Sequence, residues 1–120
     1  VLLMAAARRD FFLTVQHGQF YQGKPVIGYD LPGFGDELCG LPYLPRLIAK
    51  ARAKLVGSMG DDIIYCCEND RRFFRDHGNI HPADFLRVVW AAGDSDPKVY
   101  DYVRQRTLSV SSAVPDNEQT

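Results

Sequence analysis

The chain has 120 residues, a length that allows one domain with a single core. Its 14 basic and 15 acidic residues are interspersed and leave a net charge of −1, which excludes a general attraction to nucleic acid or to an anionic membrane; action on a polyanion would need a local patch. No apolar run reaches the ~20 residues of a spanning helix, and three cysteines, two of them adjacent, fit no simple disulfide framework and predict a reducing, cytoplasmic setting.

Residues 2–15 read as a helix with Leu3, Ala6, Ala7, Phe11, Leu13 and Val15 on its inner side. From Gln16 to Gly40, glycines and prolines recur too often for a helix, and Val26–Tyr29 is the one plausible strand. This stretch reads as an ordered connection packed through Phe20, Tyr21, Tyr29 and Phe34. The clearest helix covers 42–56: Pro42 and Pro45 suit a first turn, Gly57 a C-terminal stop, and Leu44, Leu47, Ile48, Ala51 and Leu55 repeat on one face. Arg46, Lys50 and Lys54 recur every four residues on another, solvated face, flanked by Arg52.

Ile63–Tyr65 reads as a short extended segment that pairs with Val26–Tyr29. Asn69 is then the expected N-cap of a helix over 70–77, stopped by Gly78. His81–Pro82 opens the next helix, with Phe85, Val88, Val89 and Ala92 inward. Asp96–Pro97 opens a last one, with Val99, Tyr102 and Val103 inward. The expected fold is mainly α: a small compact domain of four to five helices over 1–106, at most a two-stranded ribbon, and a disordered tail over 107–120. The helical corner at Gly78–His81 has helix-turn-helix spacing, but its second helix offers only Arg87 to read bases, so no nucleic-acid partner is expected.

The phrases LPRLIAKARAKLVG and IIYCCENDRRFF resemble a bacterial family of small proteins known only as a domain of unknown function. Its pattern is a Leu-Pro-Arg helix continuing Lys-Ala-Arg-Ala, then Gly, an aromatic-Pro-Cys-Pro turn and Asp-Arg-aromatic. Leu44, Pro45, Arg46, Lys50, Ala51, Arg52, Gly57, Tyr65, Cys67, Asp70 and Arg71 match it, while Cys66 and Glu68 stand where the prolines would be. The resemblance spans residues 30–105 and leaves the first 25 without a counterpart. It implies a compact helical fold in the cytoplasm, and no activity.

Two chemistries are open. Arg46, Lys50, Arg52 and Arg71 offer planar forks and point charge to an anionic small molecule or an acidic partner surface, making the protein a non-catalytic binding module. Alternatively Cys67, ahead of a helix, serves as nucleophile with Asp70 and His77, in a small ester or lactone hydrolase. A third, weaker reading is a metal-binding domain using residues 61–81. Cys66, Cys67, His77 and His81, however, lack the Cys-x-x-Cys spacing of a zinc site, and Asp61, Asp62, Glu68 and Asp70 lack that of a calcium loop, so neither a metal nor another cofactor is expected.

Overall fold

The computed structural model describes the backbone of residues 2–118 and the side chains of residues 2–109. The described residues form α1 (Leu2–Thr14), a 3-10 turn (Gly28–Asp30), β1 (Glu37–Leu38), β2 (Leu41–Pro42), α2 (Leu44–Val56), α3 (Glu68–Asp76), α4 (Pro82–Ala92) and α5 (Asp96–Glu118). The domain is mainly α with one two-stranded ribbon.

Helix α2 is the hub, touching α1, α4, α5 and β1. Its stripe Leu44, Leu47, Ile48, Ala51 and Leu55 is almost wholly buried, as periodicity demands. Each such leucine or isoleucine contributes about 1.5–3 kcal/mol on leaving water. Pro45 occupies the first turn, while Tyr43 (φ 74°) and Gly57 (φ 83°) turn the chain left-handed at the two ends. Pro42 lies outside the helix, in β2. Phe85, Leu86 and Val89 of α4, and Val99 and Val103 of α5, complete the core.

Several local expectations change. The inner face of α1 is Met4, Ala7 and Phe11; Leu3 and Leu13 are 60% and 52% exposed, because α1 packs along a narrow stripe and is apolar on both sides. The ribbon pairs β1 with β2, through a two-residue turn in which Cys39 (φ 52°) and Gly40 (φ 83°) are both left-handed, the geometry of a tight antiparallel hairpin. Val26 instead makes a single parallel bridge with Met59. Ile63–Tyr65 forms no strand. Phe20, Tyr21, Tyr29 and Phe34 are exposed, so they do not enter the core; Phe20 meets Phe12 and Phe34 meets Tyr43 only at the surface.

Helix α3 starts earlier than expected. Cys67 is its N-cap and Asn69 sits in the first turn, because the Asp70 carboxylate reaches back to accept from the N–H groups that open the helix. Helix α4 starts as expected, with the Ala83 N–H donating to His81 Nδ1 at 3.0 Å. Helical backbone in α5 continues past residue 106 to Glu118. Of the tail expected over 107–120, residues 119–120 and all side chains beyond 109 lie outside the described residues.

Candidate functional site

Asp70 is fully buried and gathers donors from three parts of the chain. Its Oδ1 accepts from the Tyr43 hydroxyl and from Lys50 Nζ at 3.2 Å. Its Oδ2 accepts from the Cys66 N–H at 2.8 Å, the Cys67 N–H at 3.2 Å and Lys50 Nζ at 3.3 Å. Lys50 Nζ also lies 3.4 Å from Cys67 Sγ. Three of the residues expected at a site therefore converge: Lys50, Cys67 and Asp70. Lys50 is 5% exposed and not on a solvated face, because α3 and the Cys66–Cys67 turn lie across that part of α2.

The chemistry of this cluster is that of a lock. A carboxylate has about four lone-pair positions, and here protein donors fill them, leaving none for substrate or an attacking water. The donors tie α3 to α2 and to the Tyr43 turn, and they stabilise Cys66 in its left-handed conformation (φ 71°). Burial pushes the Tyr43 hydroxyl well above its ordinary range, and the Asp70 carboxylate beside it pushes the same way. The Cys66 thiol is also raised, since burial outweighs the nearby Arg71 charge.

The other expected residues are dispersed. His77 caps the C-terminal end of α3, so one helix length of about 15 Å separates it from Cys67. There it stacks on Phe73 with centroids 4.1 Å apart, and Nδ1 donates to the Phe73 carbonyl at 2.8 Å. Arg46 lies over the Phe34 ring and donates to the Pro32 carbonyl at 3.0 Å. Arg52 bonds Asp96 and the Gly93 carbonyl, holding α2 to the α4–α5 turn. Arg71 is exposed on α3. Among the described residues, no group of three His, Cys, Asp or Glu side chains is arranged to hold a metal ion.

Sequence reasoning missed a second cluster. Lys54, one turn beyond Lys50, meets Arg8 and Arg9 of α1 across a cleft of about 530 Å³, which Met4, Ala5, Phe12 and Phe20 also line. Arg8 Nε donates to the Lys54 carbonyl at 3.1 Å, fixing the two helices at this point. Among the described residues none of the three cations has a carboxylate within 4.0 Å. The signal available in the sequence was the Arg8-Arg9 pair in a mostly apolar helix whose one acid, Asp10, pairs with Arg87; the partner Lys54 is 46 residues from Arg8.

The chain belongs to the family described as Domain of unknown function (DUF5069), whose model matches residues 35–114. The Asp70 cluster lies inside that match. The cleft straddles it, with Lys54 inside and α1 before it. No curated protein and no solved structure matches the chain.

Proposed function

We propose that this member of the DUF5069 family is a non-catalytic binding module for a small anion that carries an apolar body, held in the Arg8–Arg9–Lys54 cleft. The observation that carries the reading is the convergence on one cavity of three cations from two helices, none with a carboxylate partner among the described residues, and with no acid among the lining residues. Lys50 and Arg52 are already paired with Asp70 and Asp96, and Arg46 is stacked on Phe34 as well as bonded to the Pro32 carbonyl. This makes them poorer ligands for a visitor than Arg8, whose bond to the fold is through Nε. Two guanidinium groups suit a phosphate or carboxylate, and Phe12, Phe20 and Met4 suit an alkyl or aromatic substituent. Three free thiols fit a cytoplasmic protein.

The hydrolase alternative gains no support from the Cys67 surroundings, where the carboxylate is saturated and His77 is a helix away. The test is thermal melting with hexyl phosphate, against hexanol as the neutral control. The phosphate ester raises the melting temperature, and Arg9→Ala or Lys54→Ala removes the rise without lowering the ligand-free value by more than a few degrees. No rise at millimolar hexyl phosphate, or an equal one with hexanol, overturns the reading.

A further inference from the structure

The large apolar side chains that face water are concentrated at one end of the chain. Leu2, Leu13 and Phe20 are 85%, 52% and 74% exposed, and Leu3 and Val15 also face solvent. On α1 the buried stripe is Met4, Ala7 and Phe11. At 100° per residue, Leu2, Arg9 and Leu13 fall together on the opposite stripe. Arg9 also lines the cationic cleft, and Phe20 is shared by the cleft and the exposed patch. Burying one side of α1 has therefore left a second apolar stripe outside, beside positive charge that has no carboxylate partner among the described residues.

We infer that α1 docks the protein on an anionic lipid bilayer, with lipid phosphate drawn into the Arg8–Arg9–Lys54 cleft and Leu2, Leu13 and Phe20 entering the acyl boundary. The inference rests on the anion reading of the cleft and names the amphiphile as membrane lipid. An interfacial helix buries its apolar face about 5–10 Å into the headgroup region, and neighbouring lysine and arginine supply the attraction to anionic lipid. Charge complementarity selects this occupant over a second copy of the chain. A two-fold pairing of the same face would set Arg8, Arg9 and Lys54 against their own copies, whereas the lipid surface supplies both the missing negative charge and the apolar cover. The near-zero net charge of the whole chain does not oppose this, since the attraction is local and screened within about 8 Å at physiological salt.

The test is co-sedimentation of the full chain with vesicles of phosphatidylcholine alone and with one-third phosphatidylglycerol. Binding is expected only to the mixed vesicles, weakened about tenfold or more by Arg9→Glu/Lys54→Glu and by salt near ~0.5 M. Leu2→Ser/Leu13→Ser also weakens it about tenfold, yet keeps the hexyl phosphate melting shift, because neither leucine lines the cleft. If vesicles fail to bind while hexyl phosphate still stabilises, the membrane inference falls and the cleft reading stands; if neither acts, both fall. Vesicle binding insensitive to the leucine pair, or concentration-dependent dimerisation that the pair abolishes, also overturns the membrane inference.

Discussion

Lys50 and Asp70 form an ion pair at 3.2 Å with their side chains 6% and 0% exposed, joining the middle of α2 to the first turn of α3. Such a pair is a weak net stabiliser, but breaking it is costly, because one charge is left in the interior without a partner.

Asp70→Ala is therefore expected to lower the unfolding free energy by about 3–5 kcal/mol, read from urea denaturation. Asp70→Asn keeps an acceptor for the Cys66 and Cys67 N–H groups, so Lys50→Met should cost less in that background than in the parent. The expected coupling is about 1–3 kcal/mol. Strict additivity would show that the ammonium and carboxylate act independently.

Alkaline pH should unfold the protein through its buried phenols. Tyr43, Tyr65 and Tyr102 are all raised above the ordinary value of 10.0, with burial the leading cause. A phenol whose folded pKa exceeds its unfolded one contributes stability that is full below about pH 10 and lost as pH climbs toward the folded value. Melting temperature is thus expected to fall above about pH 10. Absorbance at the phenolate band should show Tyr43 and Tyr65 ionising only with unfolding. Ionisation of Tyr43 and Tyr65 near pH 10, with the fold intact, would contradict the burial argument.

The thiols should react in order of access. Cys39 is exposed at the hairpin turn, whereas Cys66 and Cys67 are half-buried. Burial also holds the Cys66 thiol above its ordinary value, reducing its thiolate fraction. Iodoacetamide labelling followed by peptide mass mapping should find Cys39 modified first. Cys67 modified ahead of Cys39 would revive the nucleophile reading.

Two glycines with positive φ should behave differently. Gly78 (φ 95°) has no room for a side chain, since an added Cβ would lie 2.6 Å from the Arg106 carbonyl oxygen. The Gly78 carbonyl also accepts from Arg106 at 2.6 Å, so any shift there loosens α3 from α5. Gly93 (φ 60°) faces open space. Gly93→Ala should cost about 1–3 kcal/mol from backbone conformation alone, because φ 60° with ψ −121° disfavours any L side chain. Gly78→Ala should cost more, since a clash with Arg106 adds to its positive φ, the two being compared by chemical denaturation. Equal losses would mean that the α3–α5 contact yields easily.

The motif that carries the family resemblance reads, in three dimensions, as a set of ties between elements. Lys50 meets Asp70, Arg52 meets Asp96, Arg46 holds the Pro32 carbonyl, and the Tyr65 hydroxyl donates to the Pro82 carbonyl at 2.8 Å. Gly57 supplies the left-handed stop of α2. Three of the four cations expected to meet a ligand, Arg46, Lys50 and Arg52, thus each hold another part of the fold.

The apolar stripe of α2, the proline and histidine start of α4 and the inward valines of α5 were all legible along the chain, because helix burial obeys a local period. The basic stripe at 46, 50 and 54 was legible too, but not the fate of its members. One lies over Phe34, one is buried against Asp70, and one opens with Arg8 and Arg9 onto a cleft. Periodicity assigns a residue to a face of its own helix, and only the neighbouring element decides whether that face meets water, a counter-charge or a cavity. That decision depends on contacts between residues 20 and 46 positions apart, which no local pattern encodes.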